Sequence, residues 1–465
     1  MDHTSVTGFS SEPSSPSIGV FGRTERGGQR DRTAWDFKVD TDQLFDRYIS
    51  TKLPVEVNFR DIVPFGPGVD RATHLVHTYP AKLLLNIPLF LCNNSAFSPA
   101  GGLIYDPFCG SGTVLVESLL SGRSAFGADA NPLARLIAKV KTTYIDKAAI
   151  EAGLKDILKS ISPNHFHDFS PVVSVEKWFT PVVSLELSKL LSAIRRVSRD
   201  DILDFMEVCF SACLRYLSLA DPRLAVPVRL KNDRLEDRIR SLESPVIMFE
   251  RVVRLNCDRL QRLGDIPSCI GFGNDARTGH LIMQRLNAQA DLIVTSPPYA
   301  GAQKYIRSSS LSLGWLGLAP QNKLRVLESQ NIGREHYSKS EYEVGQYGNL
   351  FGAEEAIKRI RSIYPLRAHI AATYISEMEH AAISMVKALR VGGHLALVIG
   401  DNHICGEPFE TSKYIKAIFE FLGLKVKLEM VDTIKSRGLM TKRNRAASSI
   451  DREHVIVFEK LKGEV

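Results

Sequence analysis

Ser296-Pro297-Pro298-Tyr299 closes an apolar, strand-like run, "ADLIVTS" (Ala290–Ser296). Proline donates nothing to a sheet ladder, so two in succession stop a strand and present the next side chain on a stiff turn. That turn offers a particular chemistry. An amine attached to a nucleic-acid base is a poor nucleophile, because its lone pair is conjugated with the ring. Hydrogen bonds from its N–H groups to fixed acceptors favour the pyramidal form that can attack. The Ser296 hydroxyl and the Pro297 carbonyl are such acceptors. Tyr299 supplies a flat face for a base taken out of its stack, a contact worth ~1–3 kcal/mol.

A second constellation lies upstream. "YDPFCGSGT" (Tyr105–Thr113) sets Gly110 and Gly112 between a short apolar strand and a helix. Backbone can approach a ligand closely there, and the helix N-terminus favours anionic or electron-rich groups. Asp129 ends the next strand, where a ribose-binding acid belongs in a nucleotide site. Asp275 ends the third, in "GND", placed to meet the exocyclic amine of an adenine; taken alone it reads as a turn residue. The loop lacks the GxGxxG spacing of dinucleotide sites. Its leading Asp106 would repel a pyrophosphate but could hold a positively charged amino-acid moiety. S-adenosylmethionine carries that moiety together with a ribose and an adenine. Ligands of open α/β sheets sit at the carboxyl ends of the strands, where strand order reverses. If "GLIYD" (Gly102–Asp106) and "ADLIVTS" flank that point, methyl donor and acceptor face each other across one crevice. An amine that has accepted a methyl cation sheds its proton readily, so no strong base is required.

On these motifs the sequence resembles the amino-methylating DNA methyltransferases, the N4/N6 family, which modify the exocyclic nitrogen of cytosine or adenine. "DPFCGSGT" resembles their donor-binding motif and "TSPPY" their catalytic motif. "HTYPAK" (His77–Lys82) resembles the segment that closes over the donor's methionine end. The resemblance implies donor contacts from His77, Tyr79, Pro80 and Lys82, and from Asp106, Pro107, Phe108, Cys109, Gly110, Ser111, Gly112 and Thr113. It adds Asp129, Ala130, Asn131, Asp275 and Ala276, with catalysis at Ser296, Pro297, Pro298 and Tyr299. Serine ahead of Pro-Pro is typical of cytosine-N4 enzymes, whereas Asp or Asn there is mostly found in adenine enzymes. The implied activity is site-specific DNA methylation at cytosine N4 by base flipping, with S-adenosylmethionine as donor and DNA as partner. Restriction or defence proteins encoded elsewhere are possible further partners.

Rival readings remain. The first is an adenine-N6 enzyme with serine in the acid's place. The second is an RNA methyltransferase, although transfer-RNA guanine enzymes with a similar donor loop usually carry Asp-Pro-Pro-Tyr. The third is a DNA-binding protein that kept the fold without turnover, against which Asp106, Gly110, Gly112, Ser296 and Tyr299 all speak. A ring-carbon cytosine enzyme needs a nucleophilic cysteine, usually after proline, and no Pro-Cys occurs. Cys109 reads as packing.

Strands and helices alternate around these motifs, as in a doubly wound, Rossmann-like α/β sheet with a terminal antiparallel pair. The methyltransferase core is expected in 36–143, 266–300 and 373–465, behind a disordered Ser/Gly/Pro/Arg-rich arm at 1–35. Two insertions interrupt it. Residues 144–265 are helical and a candidate for target recognition; residues 301–372 are a candidate DNA contact or lid. Lys304, Tyr305 and Arg307 follow the catalytic turn and are placed to touch phosphates. So are Lys435, Arg437, Lys442, Arg443 and Arg445 of "KSRGLMTKRNR", between the last two strands. Leu311, Leu313, Trp315 and Leu316 read as packing, as do Trp178 and Phe179. A net charge of +7 permits a polyanionic partner. The longest apolar run is too short and too interrupted to span a bilayer. Seven scattered cysteines, with no CxxC pair, fit a reducing, cytoplasmic setting. Oligomeric state is open.

Overall fold

The computed structural model describes residues 35–63, 71–80, 83–162, 174–266, 269–300, 305–319, 323–345, 347–433 and 452–462. Ten strands are numbered in chain order: β1 (Val55–Val57), β2 (Leu103–Asp106), β3 (Ser124–Ala128), β4 (Gly271–Gly273), β5 (Ala290–Thr295), β6 (Leu389–Ile399), β7 (Asn402–Ile404), β8 (Glu407–Phe409), β9 (Leu424–Thr433) and β10 (Arg452–Lys460). Eight form one sheet in the order β1-β9-β10-β6-β5-β2-β3-β4. Only β10 runs antiparallel to its neighbours. This is the expected doubly wound α/β sheet with its antiparallel pair, β9 and β10.

Alternation within the strands explains why helices cover both faces. Ile104 of β2 with Leu292 and Val294 of β5 join one core, against the short helix Asn86–Cys92. Leu103, Tyr105 and Ile293 join the other, under the long helix Pro365–Ala388. The chain runs from β2 outward through β3 to β4, then returns for β5 and β6 on the other side. The order therefore reverses between β2 and β5, where the two motifs were expected to meet.

Three features depart from the pattern legible in the sequence. A glycine pair behind a long helical stretch reads as the helix's stop, but Gly392 and Gly393 both lie inside β6. The register between β5 and β6 shifts there, Gly392 takes φ +72°, and a Cβ on Gly393 would come within 3.0 Å of the Asp291 carbonyl oxygen. The glycines serve a bulge and a close strand contact. The β7–β8 hairpin has Cys405 and Gly406 at positive φ, a left-handed turn that cysteine does not advertise. Strand β1 is three residues of edge, too short for alternation to show.

The helical stretch between β3 and β4 has its own core, which takes in Trp178, Phe179, Phe210, Leu311, Leu313, Trp315 and Leu316. Trp315 meets Phe179 and Phe210 edge-on, at 5.6 and 5.9 Å between ring centroids. The start of the second insertion thus packs against the first, whereas Leu350–Ile360 packs under the sheet with the long helix. Among the described residues no helix is long and apolar enough to cross a membrane. Most of the expected arm, residues 1–34, lies outside the described residues.

Glu117, fully buried in the helix Thr113–Leu120, ties the segment before the glycine loop to the loop's own helix. It accepts from Arg71 (2.9 and 3.1 Å) and sits 2.7 Å from His74 Nε2. Burial pushes the carboxyl up, but His74 and Arg71 outweigh it and hold it below the ordinary glutamate range. Glu117→Ala should therefore cost on the order of 2–3 kcal/mol in urea unfolding at pH 7, less than a fully buried pair because Arg71 keeps some water. The sign of its pH dependence follows. The contribution is present above the unfolded-state value, about 4.3, and is lost as pH falls through the lower folded value. Wild type and variant should converge in acid.

Candidate active site

The Gly110–Gly112 loop turns the chain from β2 into the helix Thr113–Leu120, and left-handed backbone makes the turn possible. Gly110 has φ +49° and Gly112 has φ +81°. A Cβ on Gly112 would press to 3.0 Å from that of Ala138, so the helix Pro132–Lys141 also requires glycine there. Cys109 N–H donates to the Ala128 carbonyl at 2.8 Å, holding the loop to β3. The buried Cys109 thiol is pushed well up by desolvation, which suits packing and not nucleophilic attack. Ser111 and Thr113 are buried, with Ser111 reached by buried Lys141 at 3.4 Å.

Asp129 bridges the loop and the end of β3. One carboxylate oxygen accepts from Gly110 N–H at 3.0 Å and the other from Asn131 N–H at 2.7 Å. The Asn131 side chain contacts both the Tyr79 and the Ser309 hydroxyls at 3.1 Å, so it joins the closing segment to the second insertion.

Asp106 lies beneath the loop, 4% exposed. Its Oδ1 accepts from Phe108 N–H (3.1 Å) and from the Thr295 hydroxyl (2.7 Å), one residue before Ser296. Among the described residues no donor reaches Oδ2. Burial pushes the carboxyl up to about 7, with the Asp129 charge adding to the rise and the two donors opposing it. A buried acid with one uncommitted oxygen is suited to a cationic ligand group.

Between these walls lies a cleft that encloses about 640 Å³ with its open mouth included. Tyr79, Pro107, Phe108, Gly110, Asp129, Ala130, Asp275 and Ala276 line it on the glycine-loop side. Ser296, Pro298 and Tyr305 line the opposite side with Gln330, Asn331 and Ile332. The two motifs do face each other across one crevice. Tyr299 does not line it. The ring lies toward β6, where its hydroxyl hydrogen-bonds the backbone of Gly400, and burial pushes its pKa up. A smaller pocket adjoins the cleft through Tyr305, Asn331 and Ile332, and Arg307 stands in its wall, 3.5 Å from Glu328.

Other expected residues fall elsewhere. His77 is buried against the helical insertion, 2.9 Å from the Ser211 hydroxyl and outside the cleft lining. Pro80 is half-buried and also outside that lining. Asp275 lines the cleft, but Arg277 grips its carboxylate with Nε (2.9 and 3.0 Å) and Nη2 (2.8 Å). Lys82, Lys304, Lys435, Arg437, Lys442, Arg443 and Arg445 lie outside the described residues. The sequence reading gave no role to Thr295, Arg277, Glu117 or the Gln330–Ile332 wall. Thr295 stood inside the quoted motif and Arg277 two residues after Asp275; nothing in the sequence marked Gln330–Ile332.

Thr295→Val keeps the shape and removes a donor to the Asp106 carboxylate. Asp106 should then titrate above its value of about 7, read by ¹³C NMR of aspartate-labelled protein, with roughly 1 kcal/mol of stability lost.

No family model matches the chain. It is 25% identical over 311 residues to the type II methyltransferase M.MvaI of Kocuria varians, covering 62% of this chain and 67% of that one. It is 32% identical over 173 residues to the type II methyltransferase M.MjaII of Methanocaldococcus jannaschii, covering 35% of this chain and 29% of the relative. Among solved structures, the rRNA methyltransferase aviRa of Streptomyces viridochromogenes superposes with a TM-score of 0.34 at 13% identity, over 86% of this chain and 96% of that chain. That superposition is too loose to bear on function. The chain thus combines a doubly wound, Rossmann-like sheet with sequence similarity to type II methyltransferases.

Proposed function

We propose that this protein is a site-specific DNA methyltransferase that carries a methyl group from S-adenosylmethionine to the exocyclic N4 of a flipped cytosine. One observation carries the reading: Ser296 and Pro298 stand across a single cleft from Gly110, Asp129 and Asp275, at the reversal point of the sheet. The similarity to type II methyltransferases supports DNA as the substrate. The serine supports cytosine over adenine.

S-adenosylmethionine supplies the methyl group when bound. Asp106, behind the cleft lining beneath the loop, would take the cationic amino group through Oδ2, Asp129 the ribose and Asp275 the adenine edge, with Tyr79 and Phe108 as apolar walls. Ser296 would accept an N–H of the target amine through its hydroxyl and Pro297 through its carbonyl; the Tyr299 ring, turned toward β6, is not assigned the stacking face. The Pro-Pro turn keeps these groups from rotating away, which is their catalytic contribution. Arg307, beside the adjoining pocket, would meet a flanking phosphate.

Nucleoside mass spectrometry on unmodified DNA incubated with the protein and S-adenosylmethionine decides the base. N4-methylcytosine is the expected product. N6-methyladenine would retain the fold and cleft but remove serine as the discriminator, and no methylated nucleoside with donor binding intact would overturn DNA as substrate. Ser296→Ala should slow transfer more than it weakens binding.

Donor affinity should also depend on pH through Asp106. Below about 7 the carboxyl is protonated, so a cationic ligand must displace that proton and binding weakens toward a limit of about tenfold per pH unit. Above about 8 the donor's own amino group loses its charge, so affinity should peak between. Calorimetry near pH 6.5 in buffers of different ionisation heat should report proton release, and Asp106→Asn should abolish it.

A further inference from the structure

Arg277 does more than neutralise Asp275. While Nε and Nη2 hold that carboxylate, Nη2 also donates to the Gln330 carbonyl at 2.9 Å, and Nη1 lies 3.7 Å from Glu377. Glu377, on the long helix, accepts from Gly333 N–H at 3.1 Å through its other oxygen. The segment Gln330–Gly333 is therefore pinned at both ends by one ion pair, once through Arg277 and once through Glu377. Between the pins, Asn331 and Ile332 form the partition shared by the cleft and the adjoining pocket.

Gly333 shows where the pinned segment presses. It has φ +76°, and a Cβ there would stand 3.3 Å from the Tyr299 carbonyl oxygen and 3.5 Å from Tyr374 Cδ2. The strap thus lies directly on the backbone of the Ser-Pro-Pro-Tyr turn. One chain of contacts runs from Asp275, through Arg277 and Glu377, to the strap and on to Tyr299. A lysine could not replace Arg277, since its single ammonium cannot present a fork to the carboxylate and still reach the other two partners.

On the reading that the cleft holds S-adenosylmethionine, we infer that Arg277 and Glu377 are a positioning pair that couples donor binding to acceptor binding. An adenine amine donating to Asp275 competes with Arg277 for that carboxylate. The guanidinium then leans toward Gln330 and Glu377 and tightens the strap on the catalytic turn. Neither residue is assigned contact with the reacting atoms. By linkage, DNA on the acceptor side must strengthen donor-side binding by the same factor.

The test uses the full chain with S-adenosylhomocysteine, which occupies the donor cleft without turnover, and sheared unmethylated genomic DNA. In wild type, DNA should tighten S-adenosylhomocysteine binding by roughly 5- to 150-fold, the usual range of such coupling. In Arg277→Lys and Glu377→Ala that ratio should collapse to within about twofold of unity, while in Glu377→Ala, which leaves the Asp275–Arg277 pair in place, affinity without DNA stays within about threefold of wild type. Hydrogen exchange at the Gly333 amide gives a readout independent of activity. It should quicken in Glu377→Ala and stay slow in Glu377→Gln, which keeps a carbonyl oxygen for Gly333. Glu377→Gln also serves as the test variant if the alanine variant does not fold, its ratio then falling part of the way to unity. An unchanged ratio in the variants, or an unchanged Gly333 amide in Glu377→Ala, overturns the coupling. Wild-type binding of S-adenosylhomocysteine that ignores DNA does the same while leaving the donor site standing. Failure of wild type to bind S-adenosylhomocysteine at all overturns the proposed function, and the coupling with it.

Discussion

The Thr295 hydroxyl and the Asp106 carboxylate meet at 2.7 Å, at the point where the sheet reverses its strand order. That bond joins the last residue of β5 to the last residue of β2, and the two loops of the site begin on either side of it. Parallel neighbours such as β2 and β5 bring their carboxyl ends to the same edge, but pairing alone leaves the loops free to diverge. Here the side chain that ends one strand is donor to the side chain that ends the other. The opposite end is fixed similarly: Asp291 accepts from Leu103 N–H (2.7 Å) and from Arg390 (2.5 Å). With both ends of the β2–β5 pair fastened, the cleft has a floor of set width.

The same bond bears on the electrostatics. Asp106 gives up water for two donors on a single oxygen, and this leaves its carboxyl near neutrality in proton affinity. A fully compensated acid would be permanently charged and would offer a ligand little. Asp129, by contrast, spends both oxygens on backbone N–H groups and so holds the loop's shape. Asp275 gives its carboxylate to Arg277. Three acids at three strand ends read in the sequence as three donor contacts, yet what else they hold divides them: Asp106 keeps an oxygen uncommitted, Asp129 also braces the loop and Asp275 also anchors the strap through Arg277.

What the sequence could reveal follows the range of the interactions involved. Strands buried on both faces, such as "LIYD" and "ADLIVT", stand out as apolar runs between turn residues, and glycine or proline marks the loops that follow. Those are local signals, and they suffice to place the sheet and the two loops at its strand ends. Gly392-Gly393 is ambiguous because glycine reads alike as a helix stop and as a bulge; the deciding contact is Asp291, about a hundred residues away. His77 looked like part of the donor site by its neighbours, but Ser211 of the insertion claims its ring. Arg277 and Glu377 carry no motif at all, since their function in the structure depends on two backbone groups of a distant loop.

This difference separates the two walls of the cleft. The donor wall is made of residues adjacent to strand ends, so local pattern and wall coincide. Beyond Ser296 and Pro298, the acceptor wall is made of Tyr305 and the Gln330–Ile332 strap, brought in by an insertion that splits between two cores: its beginning packs against Phe179 and Phe210, its later part under the sheet. The strap crosses between those supports. A wall fastened to two separate cores is positioned by both, so packing changes in either can reach Asn331 and Ile332 without touching the donor loop. On the proposed reading, target choice can therefore vary through the insertions while the chemistry of the donor side, fixed by β2, β3 and β5, stays as it is.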